Sequence, residues 1–156
     1  MLLGLTIALI ALALDQVSKY VMLTSVLEEQ HAIVVGAYFN LVRAWNTGVS
    51  FSMFDDHGRA GIYALSLVAL AIVAFLLRWL ASEKSRLVQA ALGLVIGGAL
   101  GNVIDRLRMG AVFDFLDFHI GVHHWPAFNL ADSFICIGAG IIVVHGMVTA
   151  YQKKEV

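Results

Sequence analysis

The chain has 156 residues, the length of a single domain; 60% are hydrophobic and 13% charged, against roughly half and a quarter in soluble domains. With a mean hydropathy of +0.86, so much apolar surface excludes an ordinary water-soluble globule. A net charge of −1 leaves no basic footprint for nucleic acid, and a single cysteine, Cys136, excludes an intrachain disulfide.

A helix crossing hydrocarbon needs about 20 mostly apolar residues, and all its backbone polar groups must be paired internally. Residues 2–23 fit the first span, interrupted late by Asp15, Gln16 and Lys19. The span lacks a positive start and a clean small-residue cleavage site, so it reads as retained rather than as a secretory leader. Asp15 and Lys19 lie four apart and can pair on one helix face, either as a structural salt bridge or as the polar floor of a site. In the long segment 24–60, AIVV and AYFNLVRAWNTGVSFSMF read as short strands. Asp55, Asp56, His57 and Gly58 read as a turn before the second span, residues 61–80.

A short link, Ala81 to Arg86, leads to the third span, residues 87–104. Gly93, Gly97 and Gly101 recur every four residues and share one face, a spacing that lets membrane helices pack closely. Residues 105–132 form a second long segment, and residues 133–151 the fourth span. The expected fold is an integral membrane, mainly α, four-helix bundle of one domain, residues 1–156, with a small extracytoplasmic β-sheet. Lys and Arg counts near the span ends tie. Arg78, Lys84, Arg86, Lys153 and Lys154 stand on one side; Lys19, Arg43, Arg59, Arg106 and Arg108 stand on the other. The first set is denser, which places both termini and the Ser82–Ser85 link in the cytoplasm and the long segments outside.

Four acids, Asp105, Asp114, Asp117 and Asp132, crowd the outer ends of spans three and four, and Asp15 joins them from span one. Ionisable groups at membrane depth are functional candidates. Asp117 is expected to lie wet in the headgroup layer, and Asp105 to pair with Arg106 or Arg108. Two carboxylates sharing one proton can hydrolyse a peptide bond without a metal: the ionised one deprotonates water and the protonated one donates to the carbonyl oxygen. Composition alone leaves open which two of the five acids form such a pair. His119, His123 and His124 match no standard zinc spacing, and H-E-x-x-H is absent, so they read as loop histidines. Cys136 lies within an apolar span, where thiols are inert. Ser18 and Lys19 are adjacent on a helix and do not face each other as a dyad would. His145 reads as a packed polar residue. Trp45, Phe51, Phe54 and Trp125 suit the headgroup zone.

The segments LDQVSKY, AWNTGVSF, GGALGNVIDR, VFDFLDF and WPAFNLADS, in this order on a four-span scaffold, resemble the bacterial lipoprotein signal peptidases, or signal peptidase II. The resemblance covers nearly the whole chain; Ser50, where the family has a small apolar residue, is a mild departure. It implies an aspartyl endopeptidase of the bacterial inner membrane, inhibited by globomycin. Such an enzyme removes signal peptides from prolipoproteins whose lipobox cysteine carries diacylglycerol, cutting just before that cysteine. It implies Asp114 and Asp132 as the catalytic pair, with Asp15, Asn46, Asn102, Arg106 and Asn129 around the site. No cofactor or metal is implied; the partners are the lipidated prolipoprotein and membrane lipid, and a monomer suffices. An Asp directly before a helix is a good N-cap, and a helix N-terminus favours the ionised form, so Asp132 is expected to cap span four and serve as base with Asp114 as acid. A small sheet from residues 33–54 would clamp the extended substrate. Three other readings compete, one of them a metal-dependent protease, which predicts loss of activity in chelator. A proton relay predicts acids spread through the bilayer depth, whereas here they cluster at one edge. A structural membrane protein predicts that Asp→Asn changes are tolerated.

Overall fold

The computed structural model describes residues 1–48 and 58–152, with backbone alone for residues 58 and 59. The segment containing Ser50, Phe51, Phe54 and the expected turn at Asp55 to His57 lies outside the described residues, as do Lys153 and Lys154. Among the described residues, four helices are long and apolar enough to cross a membrane: Leu2–Val26, Ala60–Ser82, Arg86–Met109 and Leu130–Gln152. The first comprises α1 (Leu2–Val21) and a terminal π turn (Met22–Val26). Strands β1 (Ala32–Gly36) and β2 (Phe39–Asn46) follow, then α2 (Gly58–Ser82) and α3 (Arg86–Met109). Then come β3 (Val112–Ile120), the short β4 (His123–His124) and α4 (Leu130–Gln152).

The helices overrun the expected spans because hydropathy marks only their apolar middles. Helix α3 begins at the Ser85 cap, whose hydroxyl accepts from the Val88 N–H, and ends where Gly110 turns left-handed at φ 77°. Asp105 and Arg106 therefore ride on α3 rather than in the segment that follows. Gly58, expected in a turn, already belongs to α2.

Helix α3 is the central helix, and glycine permits the contact. A Cβ at Gly93 or Gly97 would collide with the α1 backbone at Gly4 or Ala8; one at Gly98 would meet the Ala131 backbone of α4. Gly138 of α4 abuts the Ala91 carbonyl in return. Between lipid-facing helices, such backbone approach supplies the dispersion that water-driven burial cannot. Outward-facing side chains such as Leu9, Phe75 and Val143 are 60–68% exposed, an apolar surface that suits acyl chains. A branched side chain on the seam should force α1 and α3 apart. Gly97→Val is expected to cost about 1–3 kcal/mol as overpacking, read as a lower melting temperature in detergent. Gly140→Ala, where no atom lies within 4 Å, is the neutral control.

The four strands form one antiparallel sheet in the order β1-β2-β3-β4. Its central pairing sets Ala44 opposite Asp114 and Asn46 opposite Val112. β-Branched and aromatic residues build these strands, and Phe113 and Phe115 pack with Leu27 against Met22, Leu23 and Val26 of the π turn. Alternation along β3 then turns Asp114 to the opposite face, toward α4. Of the strands expected in the first long segment, Ala32–Gly36 and Phe39–Asn46 are present, residues 49–54 lie outside the described residues, and β3 comes from the second segment.

Candidate active site

Asp114 and Asp132 approach from different elements, and Asn129 stands between them. Its side-chain Nδ2 donates to Asp114 Oδ1 at 2.7 Å. Its Oδ1 accepts from the Asp132 backbone N–H at 3.0 Å, and its own N–H donates to Asp132 Oδ2 at 3.2 Å. Asn129 is thus the N-cap of α4 and Asp132 its reciprocal partner three residues on, the pattern of a capping box. This corrects the expectation that Asp132 itself is the cap: α4 starts at Leu130, so Asp132 lies within its first turn.

Asn102 of α3 completes the support. Its Nδ2 donates to Asp132 Oδ1 at 2.8 Å, while its Oδ1 accepts from Asn129 Nδ2 at 3.1 Å. Behind it sits Lys19, whose Nζ donates to Asn102 Oδ1 at 3.1 Å. Lys19 also pairs with Asp15 Oδ2 at 2.9 Å and Asp105 Oδ2 at 2.7 Å, all three side chains buried. The pairing of Asp15 with Lys19 is as the helix spacing implied, and it serves both readings, salt bridge and floor. Asp15 Oδ1 accepts from the Ala131 N–H at 3.0 Å, so α1 also satisfies the first turn of α4. Gly101 leaves the space for that carboxylate, which a Cβ would strike.

Among the described residues Asp105 pairs with Lys19 rather than with Arg108 or with Arg106, which is one residue on and points another way. Besides Lys19, it accepts from Gln16 at 3.0 Å and from the Phe113 N–H at 3.3 Å, tying the start of β3 to α3. Asp117 is not wet. It is 5% exposed and accepts from Asn40 Nδ2 and His124 Nδ1, both at 2.9 Å. Burial pushes its carboxyl up, but these hydrogen bonds outweigh burial and hold it below the ordinary value. His119, His123 and His124 lie on β3 and β4 rather than in a loop, with the rings of His119 and His124 stacked 4.9 Å apart. Among the described residues, no three His, Cys, Asp or Glu side chains are grouped to hold a metal ion.

Asp114 opens onto a cleft of about 380 Å³ lined by Ala44 to Gly48, Pro126 and Ala127. Asn46 lies on its wall, and its Oδ1 accepts from the Gly48 N–H at 2.8 Å, a turn closed by the left-handed Gly48 at φ 75°. Burial, then the nearby Asp132 carboxylate, push the Asp114 carboxyl up to about 6, against hydrogen bonds from Asn46 and Asn129. The guanidinium of Arg106 lies beside Gly48 and makes no ion pair among the described residues. Of the residues named from sequence, Asp15, Asn46, Asn102, Asn129, Asp114 and Asp132 thus converge, and Arg106 stands at the rim. Lys19 and Gln16, left out of the expected site, are central to its support. A lysine one turn from an aspartate inside a hydrophobic span was the signal for them.

An acid role for Asp114 would require its proton and so set an alkaline limit. The free-enzyme profile, kcat/KM against pH, is expected to fall as pH rises through about 6, where Asp114 ionises. In kcat the same limb should move to higher pH, because bound substrate excludes water from the cleft.

The family described as Signal peptidase (SPase) II matches the chain over residues 7–148. The chain is 43% identical to a lipoprotein signal peptidase of Aeromonas hydrophila, over 97% of this chain and 92% of that one. It is 42% identical to the lipoprotein signal peptidase of Rhodopseudomonas palustris, over 97% and 96%. Among solved structures, a bacterial membrane enzyme determined by the in meso method at 2.3 Å resolution superposes with a TM-score of 0.79 at 27% identity, covering 98% of this chain and 92% of that one.

Proposed function

Because the chain belongs to the signal peptidase II family, whose members cleave signal peptides from prolipoproteins, we propose that Asp114 and Asp132 are the pair that performs the cleavage. The observation that carries this is Asn129, whose side chain donates to Asp114 and whose backbone N–H donates to Asp132, with Asp114 opening onto the cleft. Asp132 accepts on both oxygens, from Asn102 Nδ2 and the Asn129 N–H, which suits an ionised carboxylate. Asp114, buried and repelled by its neighbour, suits the protonated partner.

The chemistry then balances. A water between the carboxyls gives a proton to Asp132 as its oxygen bonds to the scissile carbonyl carbon. Asp114 gives its proton to the carbonyl oxygen, producing a neutral tetrahedral diol. On collapse the C–N bond breaks, the proton on Asp132 passes to the leaving amine, and Asp114 recovers a proton from the diol. Asp15, Asn102 and Asn129 hold the pair, and Asn46 and Arg106 line the approach of the extended substrate backbone.

The substrate is a prolipoprotein whose cysteine carries a diacylglyceryl group, cut just before that cysteine. The enzyme works as a monomer in the bacterial inner membrane, with both termini in the cytoplasm and the aspartates near the outer face. Its lipid-facing helices meet membrane lipid and the substrate's chains. Globomycin-type inhibitors compete for the cleft.

Purified protein in detergent, given diacylglyceryl-modified prolipoprotein, should release the signal peptide at the same rate with and without chelator. Loss of cleavage in chelator would overturn the metal-free mechanism. Absence of cleavage by well-folded protein in either condition would bring back the proton-relay reading.

A further inference from the structure

We propose that Lys19 is a positioning residue for the reaction: it fixes the orientation of the Asn102 amide and so makes Asp132 the carboxylate that receives the proton from water. This rests on the catalytic pair assigned above. An ammonium has only donors, so the amide atom that faces it must be the oxygen. Lys19 Nζ lies 3.1 Å from Asn102 Oδ1, which turns Nδ2 to Asp132 Oδ1 at 2.8 Å. An amide NH2 can only donate, so the Asp132 oxygen that faces it must accept. If the amide turned over, its oxygen would face Asp132 and accept a hydrogen bond from its protonated form, favouring the inverse division of roles.

Asn129 cannot fix that orientation as firmly. Its Nδ2 carries two hydrogens and faces three acceptors: Asn102 Oδ1 at 3.1 Å, the Phe113 carbonyl at 3.3 Å and Asp114 Oδ1 at 2.7 Å. Lys19 is balanced by contrast. Its three hydrogens meet three acceptors, Asp15, Asp105 and Asn102, so its place is fixed from both sides. The side chain is buried and does not line the cleft; it reaches Asp132 by hydrogen bonding through Asn102, and its charge also favours the ionised form of Asp114.

Glutamine at position 19 removes the forced choice, since its amide can present either a donor or an acceptor to Asn102. We expect Lys19→Gln to lower kcat by about 10- to 100-fold, the usual effect of losing an outer hydrogen-bonding partner, with KM little changed. Lys19→Arg, which offers only donors, should restore kcat. The double variant Lys19→Gln/Asp105→Asn removes one buried charge of each sign and carries the test if the single variant does not fold; it should show the same fall in kcat at unchanged KM. A folded Lys19→Gln protein, or the double variant, with the wild-type kcat overturns the proposal and leaves Lys19 a structural residue only. Wild-type cleavage by Asp132→Asn would instead overturn the catalytic pair, and this inference with it.

Discussion

Asp114→Asn and Asp132→Asn should each lower cleavage by roughly 10³-fold or more, the scale of a lost general acid or base, yet change stability in opposite directions. At position 132 both carboxylate oxygens accept, one from Asn102 Nδ2 and one from the Asn129 N–H. An amide there must turn its NH2 against one of these donors, which costs about 1–3 kcal/mol. At position 114 the amide relieves a burden. The folded protein holds the Asp114 proton more tightly than the unfolded chain, because the carboxyl rises from 3.8 to about 6 on folding. Stability therefore falls as pH climbs from about 4 through 6 and is flat above, a loss of about 3 kcal/mol at neutral pH. Asparagine keeps an acceptor for Asn129 Nδ2 and carries no charge to bury. Melting curves in detergent at pH 4 and pH 7 should show Asp114→Asn more stable than wild type only at the higher pH. A tolerated change at either position, judged by signal-peptide release, would overturn the pair.

The second large effect is expected at a residue that never meets substrate. Asp15→Ala removes one of the two carboxylates that neutralise Lys19 and the acceptor of the Ala131 N–H. Lys19 keeps Asp105, so the cost falls on the Ala131 N–H and the Lys19 hydrogen left without an acceptor, about 1–3 kcal/mol for each buried group unsatisfied. The variant should melt far below wild type and accumulate poorly in membranes. Asp15→Asn, which keeps an acceptor for Ala131, should lie between the two. If Asp15→Ala melts like wild type, the ion cluster is not what secures α4.

The four spans were legible because hydrocarbon imposes length and apolarity, constraints visible one segment at a time. The glycine seam was legible for a similar reason: four-residue spacing on a helix fixes a face, and Gly93 and Gly97 do abut α1. The partners of the charges were not. Asp105 finds Lys19 from a distant part of the chain, and no local rule relates them. Asp117 was misread as wet because its cover comes from Asn40 and His124, brought over it by strand pairing. The alternation in VFDFLDF was a strand signal, but the segment was read only for its acids. Family resemblance named Asp114 and Asp132; their convergence around Asn129 supports that choice on physical grounds.

Asn129 has a consequence for the order of events during synthesis. It caps α4 and clamps both carboxyls, and α4 is seated by Asp15, 116 residues earlier in the chain. A nascent chain that has threaded three helices into the bilayer therefore owns Asp114 but neither its partner nor the bracket that orients it. With the proposed pair, proteolytic competence arrives with the last helix, all at once. A half-inserted molecule beside other freshly made membrane proteins is unarmed, and a chain stalled before α4 fails silently instead of cutting at random.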